Sequence, residues 1–121
     1  MTSINNKEET FRRKEKVRRR EDFIRLFKEG SRHFSKQYTL ITVRNKLEYS
    51  RCAVSIRKKV GNAVIRNYEK RLCRELFRRE KRRLRPGLDI LVIVNERTNR
   101  FRSSSIMLKN LMYRYCSSCR G

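Results

Sequence analysis

The stretch Lys58-Lys59-Val60-Gly61-Asn62-Ala63-Val64-Ile65-Arg66-Asn67-Tyr68-Glu69-Lys70-Arg71-Leu72-Cys73-Arg74-Glu75-Leu76-Phe77 decides how this chain is organised. Two lysines lead to a glycine hinge, and the residues beyond the hinge have a helical period. At about 100° per residue, Ile65, Tyr68, Leu72 and Leu76 fall within one arc, while Arg66, Asn67, Lys70, Arg71 and Arg74 cover most of the opposite side. A helix of that kind buries one wall in a core and offers the other to a polyanion. A merely solvated surface helix has the same pattern, so periodicity alone leaves both readings open.

Working outward, the helix is expected to run from about residue 63 to 83 and to stop at Arg85-Pro86-Gly87. Before it, Tyr38 to Arg44 alternates like a strand, Asn45-Lys46-Leu47-Glu48 forms a turn, and Ser50 to Arg57 returns as the second strand of a hairpin. In that strand Cys52, Val54 and Ile56 face one way, and Arg51, Ala53, Ser55 and Arg57 the other. After the helix, Leu88-Asp89-Ile90-Leu91-Val92-Ile93-Val94 is nearly continuous apolar and predicts a central strand covered on both sides. A short helix is expected over Glu21 to Glu29, its acidic start suiting the positive helix end and Gly30 closing it. Phe23 and Phe27 are i,i+4 neighbours on it. A last helix, about Ser104 to Tyr115, carries Met107, Leu108, Leu111, Met112 and Tyr115 as its core stripe, with Ser103 or Ser104 as cap.

The order α-β-β-α-β-α reads as an α+β fold with a small mixed sheet. Three segments result: residues 1–19, a basic polar segment disordered when free; residues 20–116, one α+β domain; and residues 117–121, a short tail. With 121 residues the chain supports one modest core. Lys+Arg 34 against Asp+Glu 12 gives a net charge of +22, which opposes compaction and calls for a polyanion. No apolar run approaches the roughly 20 residues of a spanning helix, and residues 1–20 lack the apolar stretch of a cleavable signal. These features predict a cytoplasmic nucleic-acid binder that does not enter membranes.

Four cysteines, at 52, 73, 116 and 119, and one histidine, His33, make a zinc site a poor fit, because zinc takes four ligands. Free thiols are the expectation. Asp89 and Glu96 flank a strand and read as turn or surface residues rather than an acid–base pair. No nucleophile–base arrangement and no phosphate-binding glycine loop is visible, so the chain by itself reads as a binder, with no catalytic residue and no metal site.

The exact string is more specific than its pattern. Lys58, Lys59, Gly61, Asn62, Ala63, Arg66, Asn67, Lys70, Arg71, Arg74 and Phe77 stand where the Arg-Asn-Arg signature helix of the bacterial ribonuclease P protein subunit has them. The chain resembles that family over roughly residues 20 to 115. It departs at the third motif position, which is Tyr68 rather than arginine, and at Glu69. The resemblance implies a left-handed crossover from the second strand through the signature helix to the next strand, as in the second domain of ribosomal protein S5. Connection rules alone favour the right-handed form.

The resemblance also implies a division of labour. The RNA subunit of ribonuclease P would hold magnesium and remove the 5′ leader of precursor tRNA, while the protein, binding no cofactor of its own, holds both RNAs. Lys58, Lys59, Asn62, Arg66, Asn67, Lys70, Arg71 and Arg74 would face the RNA subunit. Phe23, Phe27, Tyr38 and Arg57 would line a cleft for the single-stranded leader, with Ile41 where the family often has a further aromatic. Two other readings fit the composition: a ribosomal-protein-like binder of folded RNA, and a DNA-binding regulator with the long helix in a groove. The first gives no reason for the string, and the second lacks a helix-turn-helix pair.

Overall fold

The computed structural model describes residues 13–84, 86–97 and 108–112. Helix α1 (Arg20–Glu29) precedes β1 (Ser31–Phe34), β2 (Tyr38–Arg44) and β3 (Arg51–Ile56). Helix α2 (Ala63–Glu80) then leads to β4 (Leu88–Val94), and residues 108–112 are helical. The strands form one mixed sheet in the order β1-β2-β4-β3. β1 and β2, and β2 and β4, are antiparallel, whereas β3 and β4 are parallel and joined through α2. The α+β class with a small mixed sheet is as expected.

Two features of the sheet differ from expectation. β2 and β3 are not a hairpin, because β4 lies between them. Its unbroken apolar run needs a neighbour on each side and cover on both faces, which only the central place supplies. The loop does hold a turn: Asn45 Oδ1 accepts from Leu47 N at 2.7 Å, and Lys46 has φ 64°. That turn ties itself to the start of β4, where Asn45 N donates to Gly87 O at 3.0 Å and Gly87 occupies the left-handed region at φ 80°. The second difference is β1 itself. Ser-Arg-His-Phe carries no apolar alternation and is a strand only because β2 offers it an edge.

The strand pleat sorts the core into two layers. On one face, Leu40, Cys52, Ile56, Ile90, Val92 and Val94 pack with Cys73 and Phe77 of α2 and with Leu108, Leu111 and Met112. On the other, Ile41 and Leu91 pack with Leu26 of α1 and with Val17. Leu108, Leu111 and Met112 thus match the expected last-helix stripe, while Met107, Tyr115 and the serine cap lie outside the described residues. Gly30 ends α1 in an extended conformation, so freedom at φ is not its purpose. A Cβ there would lie 2.4 Å from Leu26 O and 2.5 Å from Ile41 Cγ2, so the glycine lets α1 turn tightly onto β2.

The expected disorder of residues 1–19 is corrected for the part described. Val17 is buried, its N donates to Cys52 O at 3.1 Å, and Lys16 bridges to Cys52. Lys81 Nζ reaches both oxygens of Glu15, at 2.9 and 3.0 Å. The segment covers the open edge of β3, an edge that would otherwise be free to pair with another chain.

Candidate nucleic-acid interface

Helix α2 begins as the sequence dictates. Val60 is buried and anchors a short turn, so Lys58 and Lys59 just before it are exposed. Asn62 is the N-cap, its side-chain oxygen accepting from Ile65 N at 3.1 Å. A Cβ at Gly61 would come within 2.9 Å of the Ile65 side chain, which is why this turn needs glycine.

The helix is rolled relative to the expected arc by roughly a quarter of a turn. Its buried line is Glu69, Cys73, Phe77 and Glu80, with Ile65 and Leu76 packed at the margin. Cys73 and Phe77 fill the space over the sheet, and burial with the Glu69 charge nearby pushes the Cys73 thiol up to about 12, so it is an inert core group. Tyr68, placed in the core arc by periodicity, is instead 48% exposed, next to exposed Val64 one turn earlier. Arg66 is corrected in the opposite direction. At 100° per residue it falls between Cys73 and Phe77, and it is half buried, its Nε without a hydrogen-bond partner among the described residues.

The outer wall that remains is a groove of about 360 Å³ lined by Asn67, Lys70, Arg71, Arg74, Glu75 and Arg78. Glu75 is its one carboxylate, held below its ordinary range by hydrogen bonds from Arg78 and then Arg79. Sequence reasoning missed a second basic groove, of about 450 Å³, lined by Lys14, Lys16, Arg18, Arg19, Tyr49 and Arg51. Lys14 Nζ sits 4.7 Å from the centre of the Tyr49 ring. Only the docking of residues 13–19 brings these groups together.

The α1 face of the sheet has a closed end and an open end. At the closed end Asp89 is fully buried, contrary to its expected surface place. It accepts from Arg25 Nη2 (2.7 Å), Asn45 Nδ2 (2.9 Å), and Arg51 Nε and Nη2 (2.8 and 2.6 Å). Asp22 adds a second carboxylate, 3.4 Å from Arg51 and 3.6 Å from Arg25. The Asp89 hydrogen bonds hold Arg51 more firmly in its charged form. An aspartate inside an apolar strand, with arginines on nearby strand and helix, was the available signal.

Of the expected leader residues, Phe23 and Phe27 lie on α1, Arg57 follows β3, and Tyr38 is on the other face of the sheet. Phe23 packs at the margin of the α1 core layer, whereas Phe27, one turn later, is 48% exposed. Arg57 follows β3 and is exposed, its N donating to Val94 O at 3.2 Å. Tyr38 does not belong to this cleft. It pairs with Val94 and is buried on the α2 face, because strand alternation puts it on the side opposite Ile41. Ile41 lies wholly under α1.

Among the described residues, no three of the His, Cys, Asp and Glu side chains cluster as a metal site would require, and no helix is long and apolar enough to cross a membrane. Cys52 and Cys73 are buried thiols outside any disulfide among the described residues, and Cys116 and Cys119 lie outside those residues.

A mixed sheet with a basic helix groove on one side and a helix carrying an exposed aromatic on the other defines a class, the small α+β proteins with a surface suited to a polyanion. Comparison with known proteins gives the family: residues 11–115 match the ribonuclease P family, and the chain belongs to it. The ribonuclease P protein component of Syntrophus aciditrophicus is 34% identical over 97 residues, covering 80% of this chain and 82% of the relative. That of Thermotoga maritima is 41% identical over 85 residues, covering 70% and 73%. The solved ribonuclease P protein of Thermotoga maritima superposes with a TM-score of 0.73 at 33% identity, over 83% of this chain and 96% of that one. The Staphylococcus aureus protein gives 0.66 at 32%, over 79% and 86%. This chain is thus a ribonuclease P protein component, an RNA-binding part of a tRNA-processing ribonucleoprotein.

Proposed function

We propose that the chain holds two RNAs on two separate surfaces. The outer groove of α2, with Asn67, Lys70, Arg71 and Arg74 and with Lys58 and Lys59 at its start, takes the phosphates of the ribonuclease P RNA subunit. The open end of the α1 face, with Phe27 and Arg57, takes the single-stranded 5′ leader of precursor tRNA. Cleavage belongs to the RNA subunit with its magnesium, and this chain binds and orients. Asn62 contributes by starting the helix, and Phe23 by supporting the helix that carries Phe27.

The observation that carries the reading is Phe27. A phenylalanine serving only the core would be covered, and half of this one is not. Single-strand binding needs such rings beside cations, since every base has a face to stack. The family assignment favours this reading over a structural binder of folded RNA or a DNA regulator. The test is Phe27→Ala in the reconstituted holoenzyme with precursor and mature tRNA as ligands. Precursor binding is expected to weaken by about 1–3 kcal/mol with mature tRNA unchanged. Equal weakening for both ligands would return Phe27 to a structural role.

A further inference from the structure

The α1 face has an aromatic that belongs to neither the α2 groove nor the open end around Phe27. Phe34 is 72% exposed, the most exposed aromatic ring among the described residues. It lies on β1, the strand that sequence periodicity does not announce. Its face is set by register: Arg32 pairs with Ile41 and Phe34 with Thr39, and Ile41 belongs to the α1 layer. Side chains of paired residues share a face, so Arg32 and Phe34 both stand on the α1 side, about 7 Å apart along the strand.

Arg32 touches one of the two exposed rings, Phe27, and stands two residues from the other, Phe34. Its guanidinium carbon is 5.6 Å from the centre of the Phe27 ring, and its Nη2 donates to Phe27 O at 3.0 Å. The cation is thereby fixed beside the ring on the helix, and its residue shares a strand face with the ring on the sheet edge. An exposed phenylalanine on an edge strand invites pairing with another copy. Here Arg32 and exposed Lys36 flank it on a chain of +22, so a second copy meets strong repulsion while a polyanion is attracted.

We infer that Phe34 is a stacking platform for an unpaired RNA base, extending the leader path from Phe27 across Arg32 to the outer edge of the sheet. The phosphate between two bases meets the Arg32 guanidinium, and the far base covers the Phe34 ring. The inference deepens the leader reading and rests on it.

The experiment measures tRNA binding by holoenzyme reconstituted with a ribonuclease P RNA, using mature tRNA and precursors with leaders of increasing length. Phe34→Ala is expected to weaken binding of long-leader precursors about tenfold, leave mature tRNA unchanged, and match wild type once the leader is cut too short to pass Arg32. Phe34→Trp should restore binding, because it keeps a stacking face. Loss of precursor binding in Phe27→Ala but none in Phe34→Ala would overturn this inference and leave the leader reading standing. No precursor-specific loss in either would overturn both. A Phe34→Ala protein that changes oligomeric state in sedimentation without changing leader binding would assign the ring to self-association instead.

Discussion

Arg25 and Arg51 converge on one buried carboxylate, whereas Lys70, Arg71 and Arg74 stand along α2 with no carboxylate at ion-pair distance among the described residues. The two groups carry the same charge in the same chain. The first is locked by Asp89, with Asn45 completing the acceptor's hydrogen bonds, and it pins α1 to β3 and β4. The second lines an open groove. A net charge of +22 is therefore not one property. Part of it is internal fastening, and part is surface left for a partner to neutralise.

The largest effect should come from breaking the fastening. Asp89→Asn keeps the shape of the side chain but leaves Arg25 and Arg51 with only the more distant Asp22 as a counter-charge. Removing one member of such a pair typically costs about 3–5 kcal/mol, and Arg25, a third exposed, places the expectation near the lower end. Urea unfolding should show the midpoint falling steeply at constant slope. A change under about 1 kcal/mol would mean the two arginines find water or Asp22 equally good.

The opposite outcome is expected on α2. Arg71 and Arg74 are both exposed. Replacing both with alanine should leave stability within about 0.5 kcal/mol. Binding to the RNA subunit should instead lose roughly 0.7–0.9 of a released counterion per residue in its dependence on salt. An unchanged salt slope would separate this groove from the RNA and dissolve the distinction between locked and unpaired cations.

That distinction was only partly legible in the chain. Strand and helix periods gave β2, β3, α2 and β4 because each has a clear apolar pattern, and the Lys58–Phe77 string gave the family and most of the groove. Pairing was harder. The adjacency of β2 and β3 in sequence suggested a hairpin, while the strength of the β4 apolar run, which puts it between them, speaks only when the whole sheet is weighed. Periodicity also misplaced Tyr68 and Arg66, since it assumes that apolar residues define the buried line. Here two buried glutamates, Glu69 and Glu80, take that line and roll the helix. β1 and the docked residues 13–19 have no apolar rhythm. Their places are set by strand edges that exist only in the folded sheet, and so Phe34 and the second basic groove were invisible.

The smallest effect, and the one that sharpens the comparison most, belongs to Glu75, where the two behaviours meet. Its carboxylate is hydrogen-bonded by Arg78 and Arg79, both at 3.0 Å through Nε, and it lines the same groove as Arg71 and Arg74. Those bonds hold its pKa below the ordinary value, so they stabilise the fold above the unfolded-state pKa, and that contribution is lost as pH falls through the folded value. The site is substantially exposed, so Glu75→Gln should cost only about 0.3–0.5 kcal/mol at neutral pH. The gap between variant and wild type should close as the solution is acidified below the usual glutamate range. Binding should move the other way. With the carboxylate gone, Arg78 and Arg79 are released toward the groove, and the RNA subunit should bind more tightly with a steeper salt dependence. A variant slightly less stable yet tighter for RNA would show that pairing state, not charge count, decides which cations serve the partner. Unchanged or weaker binding would confine the RNA to the stretch from Asn67 to Arg74.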